Sequence, residues 1–186
     1  MKEYIKTDLM KKDDKKLRIW SSASSSGEEP YSLAIFLMEN LPEVSSWDIK
    51  ILATDISEDI LKKAITGVYS EKDMDGLSLK IKQKYFSVKR ENNSKIYEVN
   101  DSIKKMITFR KYNLVYGDYS MFSNPIDIIF CRNVMIYFDK VVQTQINEKL
   151  TGLLRRDGLL FIGHSESIPP SVKNIKLVKS SIYVKQ

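Results

Sequence analysis

Short apolar runs punctuate a polar, lysine-rich chain, and their flanks set the order of its elements. Leu17–Ser21 ("LRIWS") follows charged residues and precedes small ones, which predicts a strand buried in a sheet. From Pro30 the residues Leu33, Ala34, Leu37, Met38 and Leu41 recur at helical spacing, Pro30 suits a first turn and Pro42 marks the exit. Ile49–Thr54 ("IKILAT") repeats the strand signal, and Ser57 opens a second helix through Ile60, Leu61, Ala64 and Ile65 that Gly67 stops. Further on, Asp127–Cys131 ("DIIFC") reads as a buried strand and Val141–Leu154 as an amphipathic helix ending near Arg155–Arg156. Leu159–Gly163 then forms another strand after the turn Asp157-Gly158. This alternation predicts an α/β protein, with a parallel sheet covered by helices on both faces.

Two regions depart from the alternation. Over about residues 69–110 the pieces "KYFSV", "KIYEV" and "MITFR" predict a small antiparallel β-insertion rather than one long crossover. At the end, Ile175–Val178 and Ser181–Val184 flank Lys179-Ser180 as a hairpin closing the sheet edge, so the last strand is expected to run antiparallel.

Composition narrows the class. The 186 residues, 42% hydrophobic and 29% charged with seven Gly and five Pro, suit one globular domain carrying a small insertion. Apolar runs such as Leu33–Met38 are far shorter than the roughly twenty residues of a membrane span. The N-terminus lacks the apolar core of a secretory signal, so a cytoplasmic location is expected. A lone Cys131 and a lone His164 supply neither a disulfide framework nor a zinc cluster, and metal-free chemistry is expected. The net charge of +6 suits nucleic acid, anionic lipid or an acidic protein, but the lysines are spread along the chain as on a solvated surface.

The candidate chemistry lies in Ser21–Ser32, "SSASSSGEEPYS", between the first strand and the first helix. A strand, a small-residue turn and a helix N-terminus form the place where open α/β sheets bind nucleotides. Gly27 is its one glycine, so no G-x-G-x-x-G is present. Glu28 and Glu29 would repel a pyrophosphate and attract a cationic ligand. Asp55, ending the next strand, can accept two hydrogen bonds from a ribose diol. S-adenosylmethionine (SAM) carries an ammonium, a sulfonium and such a diol; on these residues alone, a plain serine-rich connector stays open as well.

The segments "RIWSSASSSGEEPYSLA", "ATDISEDILKKAITGVY", "FRKYNL", "DIIFCRNVMIYFD" and "DGLLFIGHSES" resemble, in order, the motifs of the CheR family of bacterial chemotaxis receptor methyltransferases. The resemblance runs from about Leu17 to Val184. It implies a class I SAM-dependent methyltransferase fold, a Rossmann-like, mostly parallel sheet with an antiparallel last strand and a small antiparallel β-subdomain. It also implies SAM-dependent methyl esterification of glutamates on the cytoplasmic signalling helices of chemoreceptors, S-adenosylhomocysteine as product, and neither nucleic acid nor membrane insertion. By resemblance, Ala23 lies beneath the methionine part of the cofactor in the loop that includes Gly27, Glu29 (or else Glu28) takes the ammonium, and Asp55 takes the ribose. Asn113 and Leu114 flank the adenine, Arg132 and Asn133 border the pocket, and Tyr137 points towards the methyl group. Tyr137 and Arg132 are the catalytic candidates.

Few catalytic groups are needed for such a reaction. A glutamate, with a reference pKa of about 4.3, is already ionised at neutral pH, so alignment and controlled hydration matter more than a general base. His164 is expected to order the turn in "GHSES", and Cys131, Trp20 and Trp47 are expected to pack.

The chain also departs from the family. Relatives usually begin with a small helical domain and a Thr-x-Phe-Phe-Arg segment, whereas "MKEYIKTDLM" looks like the helix that follows that segment. The N-terminal helical domain is therefore expected to be absent, and a SAM-binding regulatory module without catalysis is the alternative. The loop "SVKRENNSK" lacks the glycines found in peptide-binding relatives. "CRNVMIYF" resembles the Asn-Pro-Pro-Tyr of nucleic-acid methyltransferases but contains no Pro-Pro, which leaves that reading third.

Overall fold

The computed structural model describes residues 12–91 and 94–186, so the helix expected over Met1–Met10 and the loop tip Asn92-Asn93 lie outside the described residues. The first half comprises β1 (Lys16–Ser21), α1 (Glu28–Asn40), β2 (Asp48–Asp55), α2 (Glu58–Thr66), β3 (Val68–Ser70), α3 (Leu79–Tyr85), β4 (Phe86–Glu91) and β5 (Ser94–Val99). Then come α4 (Asp101–Lys104), β6 (Ile107–Lys111), β7 (Ile126–Cys131), α5 (Lys140–Leu153), β8 (Leu154–Ile162), β9 (Ile175–Lys179) and β10 (Ile182–Lys185).

Among the described residues the main sheet has the order β6-β2-β1-β7-β8-β10-β9. Its first five strands pair in parallel, and β10 runs antiparallel to β8 and to β9, as the terminal hairpin predicts. The pleat sends alternate side chains to opposite faces. Leu17, Ile19 and Ile128 pack on one face with Leu33, Ala34 and Leu37 of α1, whereas Trp20, Ile129 and Leu160 pack on the other with Ile146 and Leu150 of α5. The caps are the expected ones at α2: the Ser57 side chain accepts from the Ile60 N–H, and Gly67 ends the helix at φ 61°.

Three expectations need correction. "MITFR" does not belong to the antiparallel insertion: β6 pairs in parallel with β2 from Ile51↔Ile107 to Asp55↔Lys111 and forms an edge of the main sheet. Alternation signals a strand but not its partner, and here the partner is the parallel strand whose crossover contains the insertion. The separate sheet, in the order β3-β5-β4, lies within residues 68–99. In "KYFSV", Lys84 and Tyr85 end α3, whose start is capped by Ser78, and only from Phe86 is the chain extended. Asp157-Gly158 is no turn before a strand but a bulge within β8, where the register against β7 shifts between Ile126↔Leu154 and Ile128↔Leu159 and Asp157 adopts φ 62°.

The bulge faces a buried carboxylate. The Asp127 side chain, 3% exposed, accepts from Lys12 Nζ at 2.8 Å and Arg155 Nε at 2.7 Å through Oδ1, and from the Arg18 N–H at 2.8 Å through Oδ2. Removing it leaves two cations facing each other and a β1 amide without its acceptor. Asp127→Ala is expected to cost about 3–5 kcal/mol, read as a lower urea midpoint with an unchanged m-value.

Candidate active site

The site forms where β1 leaves the sheet. Beyond Ser21 the backbone is held from both sides: Ser22 N–H donates to Phe130 O of β7 at 2.9 Å, and Ser24 N–H to Thr54 O of β2 at 2.8 Å. A buried relay fixes the same point, with Trp20 Nε1 donating to Thr54 Oγ1 (2.9 Å), which donates to Ser22 O (3.0 Å). Ser22 and Ser24 are 1% and 2% exposed, so the small side chains are what let the loop lie on the sheet. At Gly27, φ is 97° and a Cβ would stand 3.0 Å from Tyr69 Oη and 3.1 Å from Ala64 Cβ, so only glycine fits. Gly27 therefore faces the insertion and α2 while shaping the loop, away from the pocket wall.

A cavity of about 360 Å³ opens beside this loop, and Ala23, Asp55, Asn113 and Leu114 all line it. Asp55 accepts from the Ser25 N–H at 2.9 Å through Oδ2 and from the Ser57 N–H at 3.1 Å through Oδ1, which fixes its carboxylate at the cavity. Asn113 Oδ1 accepts from the N–H groups of Val115 (2.8 Å) and Tyr116 (3.1 Å), a local turn that presents Leu114 to the cavity. Val134, Phe138 and Val142 complete an apolar wall.

The two glutamates part company. Glu28 is exposed and accepts from Ser26 Oγ, on the side of a separate cavity between α1 and the insertion. Glu29 turns to the end of β1, where Ser21 Oγ donates to Oε1 at 2.8 Å and Arg132 Nη1 to Oε2 at 2.9 Å. Two candidates from the sequence thus form one ion pair, half-buried and spanning α1 and the turn after β7. Asn133, at φ 56°, and Tyr137, 78% exposed, lie on that turn but do not line the 360 Å³ cavity.

One participant was not singled out from the sequence. The Glu166 carboxylate accepts from the N–H groups of Gly163, Asn133 and Met135. It is this residue, and not the exposed His164, that orders the "GHSES" turn. An acidic residue three positions after a strand-ending glycine was the available signal. Trp20 packs as expected, edge-on to Tyr112 and Tyr119, and adds the hydrogen bond to Thr54; Trp47 is half-buried against the core beside α1. No helix among the described residues is long and apolar enough to cross a membrane.

A parallel sheet split at the end of its central strand, a small-residue loop, a carboxylate ending the neighbouring strand and an antiparallel closing strand together define a class I methyltransferase fold. Two solved structures share it: an rRNA methyltransferase, aviRa, from Streptomyces viridochromogenes (TM-score 0.55, 10% identity, 99% of this chain and 83% of that one); and the CMeT domain of the citrinin polyketide synthase (TM-score 0.50, 16% identity, 82% and 30%). At these identities the likeness is one of fold. The chain belongs to the CheR methyltransferase SAM-binding domain family, whose model matches residues 1–184.

Among curated relatives it is 37% identical to a probable chemotaxis protein methyltransferase of Rhizobium etli, over 94% of this chain and 65% of that protein. It is 40% identical to chemotaxis protein methyltransferase 2 of Pseudomonas aeruginosa (90% and 59%) and 39% identical to the chemotaxis protein methyltransferase of Salmonella typhimurium (89% and 57%). The chain thus spans about three-fifths of the length of these relatives.

Cys131 ends β7 fully buried, and burial pushes its thiol up to about 12. It is expected to resist maleimide at pH 8 in the folded protein and to react once urea unfolds the chain. Because the folded value exceeds the unfolded one, its contribution to stability is complete below about pH 8.5 and declines as the pH rises towards 12. Urea midpoints across that range measure this.

Proposed function

We propose that this protein transfers a methyl group from SAM to glutamate side-chain carboxylates on the cytoplasmic signalling helices of chemotaxis receptors. The observation that carries the reading is the residue set at the end of β1: Ala23, Asp55, Asn113 and Leu114 line one cavity, and the Glu29–Arg132 pair is tied to Ser21, the last residue of β1. This set fits SAM in chemistry. A fixed carboxylate at Asp55 offers acceptors to a diol, the wall of Leu114, Val134, Phe138 and Val142 suits a flat base, and Glu29 suits an ammonium.

When bound, SAM supplies an electrophilic methyl group on a sulfonium. The chain's own residues do the rest by holding and aligning. Ser21 and Arg132 orient the Glu29 carboxylate, whose remaining lone pairs serve an ammonium. Arg132 uses Nη1 on Glu29, and its other guanidinium nitrogens can meet an incoming substrate carboxylate. That carboxylate is the nucleophile and needs no proton removed, so a site without a general base is sufficient. Tyr137, exposed on the same turn, offers its hydroxyl at the substrate side.

Calorimetry with S-adenosylhomocysteine is expected to give saturable binding that weakens roughly 10- to 100-fold in Asp55→Ala and in Glu29→Ala, the scale of losing charge-assisted hydrogen bonds. With radiolabelled SAM and a chemoreceptor cytoplasmic fragment, base-labile methyl ester should form. Binding without any transfer would instead make the chain a SAM-binding regulatory module.

A further inference from the structure

Glu166 is a much-connected acceptor at the carboxyl end of the sheet, and the function proposed above gives it no task. Its Oε2 accepts from the Gly163 N–H at 2.6 Å and the Asn133 N–H at 3.1 Å, and its Oε1 from the Met135 N–H at 2.8 Å. Gly163 follows β8, whereas Asn133 and Met135 belong to the turn after β7. The ladder between the two strands ends at Cys131↔Ile162, so this one side chain continues the connection where the strands no longer pair.

The turn is built so that it needs such a tie. Asn133 holds φ 56°, a left-handed conformation that asparagine adopts more readily than most residues with a Cβ but that still needs neighbouring contacts to fix it. Gly163 is pressed against it so closely that a Cβ there would come 2.5 Å from Asn133 Oδ1 and 2.7 Å from Glu166 Oε2. From the opposite side, Gln143 of α5 donates Nε2 to Met135 O and to Phe138 O, each at 2.9 Å. Glu166 collects N–H groups of the turn and Gln143 serves its carbonyls, so the segment from Arg132 to Phe138 hangs between two side chains of complementary chemistry.

We propose that Glu166 is a positioning residue for methyl transfer, fixing the turn that carries Arg132, Asn133 and Tyr137 against the cavity that the same turn walls with Val134 and Phe138. This inference rests on the function proposed above. Glu166 does not line that cavity, so it acts through the turn and not on a ligand. A carboxylate, whose oxygens both accept, suits three converging N–H groups. A glutamine would set its own NH₂ either against the Met135 N–H or against those of Asn133 and Gly163, and release whichever it faces.

The test uses Glu166→Gln and, as an independent release of the same turn, Gln143→Ala. In each variant, amide exchange by NMR, S-adenosylhomocysteine affinity, and single-turnover transfer to a chemoreceptor fragment are measured. The expected result is exchange at Asn133 and Met135 faster by about tenfold or more while β1 and β7 keep their protection. The S-adenosylhomocysteine dissociation constant should stay within about threefold, and transfer should slow by about 10- to 100-fold at unchanged KM for SAM. Unchanged exchange and rate in Glu166→Gln overturns the proposal. So does a loss of protection throughout the sheet with a parallel loss of affinity in both variants. Should the wild-type chain bind S-adenosylhomocysteine but transfer no methyl group, the proposed function falls and the role of Glu166 in transfer falls with it, whereas a wild-type chain that transfers while Glu166→Gln keeps its rate overturns the role of Glu166 alone.

Discussion

The backbone of β1 is pulled two ways at its carboxyl end, by Phe130 O of β7 at Ser22 and by Thr54 O of β2 at Ser24, and the site follows from that split. One strand cannot pair with both neighbours beyond the sheet unless its residues are small enough to lie in the groove between them. The serines meet this demand at 1% and 2% exposure. The chain then turns through Ser25 and Gly27, both at positive φ, into α1, which delivers Glu29 to one side of the opening while Asp55 stands on the other. The Trp20–Thr54–Ser22 relay makes the opening rigid, because a buried indole N–H and a buried hydroxyl satisfy each other and a loop carbonyl with no help from solvent.

Two carboxylates fasten opposite ends of the same strands. Asp127, at the amino end, binds the backbone of β1 and the cations Lys12 and Arg155, and Glu166, at the carboxyl end, binds the backbone after β7 and β8. Each gathers donors that the parallel ladder leaves over at its ends, where strand N–H groups have no further partner. Their environments differ with their tasks. Asp127 is buried, cation-paired and structural, whereas Glu166 is half-buried and meets only amides in a turn that presents side chains to the cavity.

Most of the framework was legible because burial imposes a pattern on each element. The short apolar runs "LRIWS" and "DIIFC", the cap at Ser57 and the stop at Gly67 are local consequences of where water is excluded. Partner choice is not local, so "MITFR" was read as a strand and assigned to the wrong sheet, and Asp157-Gly158 was read as a turn although it bulges within β8. At the site, Ala23, Asp55, Asn113 and Leu114 line one cavity. The sequence could not reveal that Glu29 and Arg132, 103 positions apart, meet each other, or that the order in "GHSES" comes from Glu166 and not from His164.

The insertion is wired into the same constraint. Tyr69 donates its hydroxyl to Ser26 O at 2.9 Å and packs where Gly27 lacks a side chain, so the inserted sheet rests directly on the loop that leaves β1. A second anchor lies at the far end of α1, where Glu39 takes Lys84 Nζ and Tyr85 Oη, both at 2.6 Å. With both ends of α1 tied to it, the insertion cannot shift without moving the helix that carries Glu29. The lysine-rich charge is used here and not in the cavity: Lys89 of β4 and Lys104 of α4 both pair with Glu98 of β5 and hold its carboxyl down to about 2. The net charge of +6 thus describes the surface of this protein, whereas its candidate ligand site holds the Asp55 carboxylate, fixed by backbone amides, and the Glu29–Arg132 pair.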